Sequence, residues 1–211
     1  MKAIIFRPNG FRLPIVSTCI SLAVITIYLI TGALPETLIW HQAEGFRFWQ
    51  WLSAHFVHIN TEHMTLNLVA FMVLGSIIEQ TSRKVLSLAL FSGIIAVNVY
   101  LTSLFQMDAY AGLSGALNAL LITALYFLYK QTGYRTASIL TLIGSIAKII
   151  VELNFDFSLF SSLPWPVVPQ AHLAGLLGGA LLVAFLEIRK KHLMNSDLVN
   201  FDDLTPNSSA Q

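Results

Sequence analysis

Along the 211 residues, long apolar runs alternate with short polar breaks. Six runs have the length of bilayer-crossing helices: residues 13–34, 62–81, 85–105, 113–129, 136–153 and 171–188. A spanning helix needs about 20 mainly apolar residues, within a range of about 17 to 25. No small-residue cleavage site precedes Glu36, so the first run is expected to be kept and not removed as a signal peptide. The pattern predicts an all-α polytopic membrane protein built on six transmembrane helices. Residues 1–190 form its single membrane domain, and residues 191–211 form a polar cytoplasmic tail.

Composition agrees with the pattern. The chain is 55% hydrophobic and 11% charged, with mean hydropathy +0.70, whereas soluble domains carry about 25% charged residues. Its single Cys19 excludes a disulfide framework within one chain. A net charge of +1 leaves no electrostatic footprint for nucleic acid, and the lipid bilayer is the expected partner. Threading six helices in turn sorts the basic residues by side. Lys2, Arg7, Arg12, Arg83, Lys84, Lys130, Arg135, Arg189, Lys190 and Lys191 fall together, and only Arg47 and Lys148 fall toward the other side. Positive flanks stay cytoplasmic, so both termini are expected on the cytoplasmic side. Loops 36–61 and 154–170 then face outward, and residues 195–211 read as a poorly ordered tail.

The two outer loops are rich in aromatics. Trp40, Phe46, Phe48, Trp49 and Trp51 occupy the first, a composition suited to the membrane interface. The last carries Phe155, Phe157, Phe160 and Trp165 among Pro164, Pro166 and Pro169, which deter regular helix. It is expected to cap the outer face of the bundle.

Chemistry-bearing residues sit at helix ends. Ser114 opens the fourth run between Gly112 and Gly115, where close backbone approach is possible. Unpaired amides and the positive dipole end at a helix start favour a developing oxyanion. The pattern is not the Gly-x-Ser-x-Gly elbow of soluble hydrolases, and a serine N-cap beside packing glycines is the plain alternative. His172 opens the sixth run. Ala171, Gly175 and Gly179 on that run, and Ala111, Gly115 and Ala119 on the fourth, form small-residue faces for close helix contact. Two such faces bring His172 within reach of Ser114 as a general base.

His63 and Asn67, four apart, share a helical face. Each can donate a hydrogen bond to a carbonyl oxygen as it becomes negative, or serve only in helix packing. His55, His58 and His63 could in principle hold a metal, but no His-Glu-x-x-His pattern or thiolate cluster supports one, and no metal or cofactor is expected. Asp108 and Asp156 have no spacing that marks a triad acid, so a Ser–His dyad is the simpler reading and Asp108 a solvated loop charge. Glu79 has Arg83 at i+4, a favourable structural pairing. No pair of broken, internally repeated helices suggests a transporter.

In this order and spacing, the region of Trp49, His55-Phe-Val-His58, His63-x-x-x-Asn67, Glu79, Gly112-Leu-Ser114-Gly115 and His172-x-x-Gly175-x-x-x-Gly179 resembles the rhomboid family of intramembrane serine proteases. The resemblance covers about residues 48–185. It implies a rhomboid-like six-helix bundle with Ser114 as nucleophile and His172 as general base. It implies an oxyanion hole of His63, Asn67 and the Ser114 backbone amide. His58 would steady the first outer loop and Glu79 would brace its helix, with Gly112, Gly115, Gly175 and Gly179 as structural support.

Two positions depart from the family pattern. Trp49-Gln50 stands where a Trp-Arg pair is usual, and Asn118 stands where an aromatic commonly stacks under the histidine. His172 would then be oriented by a hydrogen bond in place of ring stacking. Both departures, with the compact form and polar tail, look like the rhombosortase branch. That likeness implies membrane-anchored substrates cut near the outer face, at a C-terminal Gly-Gly-containing segment followed by a transmembrane helix. Two other readings stand beside it: a general rhomboid protease of other transmembrane substrates, and a non-catalytic rhomboid-like protein that binds membrane clients.

Overall fold

Helices follow the apolar runs: α1 (Ile15–Thr31), α2 (Gln50–Ser53), α3 (Thr61–Thr81), α4 (Arg83–Ser103), α5 (Ser114–Tyr129), α6 (Arg135–Phe155) and α7 (Pro169–Asp202). The computed structural model describes residues 11–42, 47–103, 109–155 and 168–202. Four stretches are long and apolar enough to cross a bilayer: Thr61–Thr81, Arg83–Ser103, Thr132–Phe155 and Pro169–Leu193. The first and fourth expected spans form shorter apolar helices, α1 and α5, of 17 and 16 residues. Glycines set both limits. Gly32, at φ +72°, ends α1 with its amide on the Tyr28 carbonyl, and Gly112, at φ +118°, holds a backbone state that a helix cannot continue. At its other end α7 runs on to Asp202, past the last apolar run at Ile188.

α5 is the hub, packing against α3, α4, α6 and α7. Helices in lipid gain little from burying oil against oil, so close packing of small residues has to hold them. The small faces expected from sequence meet as predicted. A Cβ on Gly179 would stand 2.6 Å from the Ala119 carbonyl oxygen, and one on Gly175 would collide with the Gly115 carbonyl. Phe71, Ile78, Leu86, Leu113 and Leu120 fill the main core between α3, α4 and α5. At the Tyr129 end of α5, Lys130 Nζ lies 2.9 Å from Glu187 Oε1 on α7, and the Tyr126 hydroxyl bonds the same carboxylate.

α1 starts after Pro14 with no side-chain cap of its own. Glu79 of α3 supplies one from across the bundle. Its fully buried carboxylate accepts the Ser17 amide and hydroxyl at 2.7 Å each and the Val16 amide at 3.2 Å. Arg83 stands 3.4 Å away at the expected i+4 position. Glu79 therefore closes a helix end besides pairing with Arg83.

The connections are not wholly irregular. Strand β1 (Trp40–His41) pairs antiparallel with β2 (Ala109–Tyr110), Trp40 opposite Tyr110. A two-residue pair carries no periodicity a sequence reading can detect, yet it gives backbone groups near the bilayer partners that water does not supply. α2 and the 3-10 turn Ala54–Phe56 follow, and the Ala54 carbonyl accepts the Gly112 amide at 2.8 Å. The α1–α3 connection is thus fastened to the segment that leads into Ser114. In it Phe48 and Trp49 are exposed, as interface anchors are.

Candidate active site

Ser114 is the first residue of α5, and His172 lies in the first turn of α7. Close contact of Gly175 with Gly115 draws these two helix ends together, and His172 Nε2 stands 3.1 Å from Ser114 Oγ. That distance suits direct proton transfer. His172 is buried, and no side chain caps the start of α5. The positive end of the α5 dipole therefore lies beside the hydroxyl.

His63 and Asn67 meet the same place from α3. Asn60 caps that helix, its side chain accepting the His63 amide at 2.8 Å, which fixes where the first turn begins. A Cβ on Gly112 would lie 2.6 Å from His63 Cε1 and 3.7 Å from Asn67 Nδ2. Both side chains therefore lie against the loop leading into Ser114. Asn67 Nδ2 and His63 Nδ1 are buried with no hydrogen-bond partner among the described residues. Buried polar atoms without a partner are costly unless a ligand uses them.

Behind these groups the connection is packed with histidines. His55 is fully buried, with Nε2 3.3 Å from Asn98 Oδ1, and the Asn98 amide donates to the Trp51 carbonyl at 2.7 Å. Burial lowers the His55 pKa from 6.5 to about 4, against a smaller opposing effect of the Asn98 bond. His58 is also fully buried, its ring 5.1 Å from that of His63, and burial with the neighbouring His63 lowers its pKa to about 3. Both rings are neutral at physiological pH. Tyr110 packs on His55, its hydroxyl beside Gly115, and burial raises its pKa so that the phenol stays protonated.

A cavity of about 480 Å³ lies between α3, α5 and α6, reaching Ser114, Asn118, Lys148, Ile149 and His172. Asn118 does not touch the imidazole by any hydrogen bond; its amide donates to the Ser114 carbonyl at 2.9 Å. The residue that sequence reasoning passed over is Glu152. It is buried on α6, its Oε2 2.6 Å from Lys148 Nζ and 3.6 Å from His172 Nδ1. The available signal was an ionisable i,i+4 pair inside an apolar span, a functional candidate by default. Asn98, also buried, was likewise not singled out, and Gln50, noted only as a variant position, is fully buried. Asp108, Asp156 and residues 156–167 of the expected cap lie outside the described residues, while Phe155 ends α6 and Pro169 opens α7, a first-turn position proline tolerates.

Residues 45–189 match the Rhomboid domain. The chain is 28% identical to rhomboid protease GlpG of Serratia proteamaculans over 189 residues, covering 88% of this chain and 65% of that protein. It is also 28% identical to the protein of the same name from Yersinia pestis, over 87% of this chain and 64% of the relative. The counterpart from Haemophilus influenzae is 25% identical over 155 residues, 72% of this chain and 78% of the relative. With more than half its length inside the Rhomboid domain, the chain belongs to the rhomboid family. It spans just under two thirds of the length of the Serratia and Yersinia relatives.

Proposed function

We propose that the chain is an intramembrane serine endopeptidase of six membrane helices working through a Ser114–His172 dyad. The observation that carries this reading is the 3.1 Å contact between His172 Nε2 and Ser114 Oγ at two helix ends. Ser114 Oγ attacks a peptide carbonyl carbon while His172 Nε2 takes its proton. The tetrahedral adduct then collapses, and His172 returns the proton to the leaving amine. Water, deprotonated by His172, attacks the Ser114 ester; the second adduct collapses as His172 returns the proton to Ser114 Oγ, freeing the carboxyl product. The Ser114 amide with His63 and Asn67 holds the oxyanion, which gives the Asn67 amide, unpartnered among the described residues, an acceptor. His58 supports the His63 ring, and Gly112, Gly115, Gly175 and Gly179 permit the close approaches.

The substrate is a membrane-anchored protein whose helix unwinds beside the cavity, because an intact helix keeps its amides engaged in lipid. Glycine lowers the cost of unwinding. With Gln50 and Asn118 at the two variant positions, the preferred site is a C-terminal Gly-Gly-type segment just outside the substrate's helix, the rhombosortase reading. The charge sorting supports an inner-membrane location with both termini cytoplasmic. A second reading of specificity, other transmembrane substrates in general, is favoured by relatives named rhomboid protease GlpG.

Co-expression with candidate membrane substrates and mass spectrometry of the products tests the proposal. Cleavage is expected to vanish in Ser114→Ala and His172→Ala while both variants still insert. Persistent cutting at the same bond in Ser114→Ala eliminates the dyad. Replacing a substrate's two glycines with leucines is expected to slow cutting strongly, and indifference to that change withdraws the rhombosortase specificity alone.

A further inference from the structure

We propose that Glu152 is the positioning carboxylate of His172, making the site a Ser114–His172–Glu152 relay; the inference rests on the Ser114–His172 reading above. α6 turns most of its length outward, with Leu140, Ile143, Ile146 and Ile150 exposed. Only Ser138, Ile149 and Glu152 of that helix are buried. A carboxylate among apolar residues is expensive unless paired or used. Glu79, the other buried carboxylate among the described residues, is consumed by the start of α1. Glu152 is turned to the imidazole.

Its Oε2 faces Nδ1 at 3.6 Å, while the opposite nitrogen, Nε2, faces Ser114 Oγ at 3.1 Å. A neutral imidazole carries its proton on one nitrogen only. A carboxylate beside Nδ1 favours the Nδ1–H form, which leaves the Nε2 lone pair for the serine proton. Once Nε2 is protonated, the same carboxylate faces an imidazolium. At 3.6 Å the contact is longer than a hydrogen bond, and such contacts tighten when substrate fills the site. Lys148 Nζ, on the cavity wall, lies 2.6 Å from the same Glu152 Oε2, so one carboxylate oxygen stands between the ammonium and the imidazole. Asn118, whose position would otherwise offer a stacking ring, is engaged with the Ser114 carbonyl.

The test uses the full chain in detergent and a fluorophosphonate probe of Ser114, so that no natural substrate is required. Losing the carboxylate of a soluble Ser-His-Asp triad costs about 10⁴ in rate; over this longer contact Glu152→Gln is expected to lower kinact about 10- to 100-fold with KI unchanged. Glu152→Asp, which keeps the charge, is expected to retain more rate than Glu152→Gln. Lys148→Met/Glu152→Gln removes both charges, and it is expected to melt as the wild type does while kinact stays low. A kinact within twofold of wild type in Glu152→Gln overturns the proposal. So does full recovery in the double variant, which would reduce Glu152 to a counter-ion for Lys148. A Gln variant faster than the Asp variant has the same meaning. Labelling that persists in Ser114→Ala defeats the dyad itself, a result separate from any of these.

Discussion

Ser17 gives both its amide and its hydroxyl to the carboxylate of Glu79, each at 2.7 Å, across the interface between α1 and α3. Glu79→Ala removes the side-chain cap at the start of α1 and leaves buried donors unpaired, at a cost of about 2–4 kcal/mol. The variant is expected to melt lower in detergent while fluorophosphonate labelling of its folded fraction stays near wild type. A selective loss of labelling would move Glu79 from architecture to chemistry.

Gly175 touches the Gly115 carbonyl with no room for a methyl group. Gly175→Ala therefore pushes α7 from α5 at the level of the Ser114–His172 contact. Overpacking costs about 1–3 kcal/mol, and a displacement near 1 Å at reacting groups costs about 10²-fold in rate. Labelling rate is expected to fall more steeply than thermal stability. Equal rates in variant and wild type would mean that the helices separate elsewhere.

His63→Ala and Asn67→Ala each remove a side chain with a buried nitrogen that lacks a partner among the described residues. If both act on the oxyanion, kcat on a membrane substrate drops roughly 10²–10³-fold with KM little changed. Raised KM at constant kcat would instead make them substrate-holding groups. Gly112→Ala, strained at φ +118° and blocked by His63, is expected to behave like the loss of both.

Burial holds His55 and His58 neutral, at pKa values of about 4 and about 3. Below about 6.5 the unfolded chain binds protons that the folded chain refuses, so stability is full above that pH and falls as pH drops toward about 4. Each histidine contributes a slope approaching about 1.4 kcal/mol per pH unit. Melting temperatures in detergent between pH 7.5 and 5 should show this decline, and His58→Phe should flatten it. An unaltered slope in that variant would assign the acid sensitivity elsewhere.

Orientation has a direct readout. In a Cys19→Ser background, a cysteine at exposed Thr37 is expected to react with an impermeant maleimide on intact spheroplasts, and one at exposed Thr132 is not. The reverse pattern would place the dyad toward the cytoplasm and end the surface-substrate reading.

The parts legible in the sequence were those that break a local pattern. Ser114 and His172 stand out as polar residues opening apolar runs, and the small faces around Gly115 and Gly175 announce which helices meet. Glu152 breaks the pattern too, but its meaning depends on which way α6 is rotated, and the 3.6 Å approach to His172 lies 20 positions further along the chain. The cap that Glu79 gives α1 joins residues 62 apart. Such pairings are set by how the helices assemble, and no spacing along the chain encodes them. The β1–β2 pair is too short to leave a periodic trace.

The brevity of α5 makes it a depth gauge. Its 16 residues rise about 24 Å, against roughly 30 Å of hydrocarbon. Lys130 and Glu187 join α5 to α7 at its far end; in the orientation proposed above, with that end at the water boundary, Ser114 would rest several ångströms beneath the opposite boundary. Any helix lying alongside is met at a height fixed by counting turns from Lys130, before a single side chain is compared. In that proposed orientation, inserting one turn into α5 would lift Ser114 by about 5.4 Å, toward the membrane surface, and shift the proposed point of attack by three to four residues along the neighbouring helix.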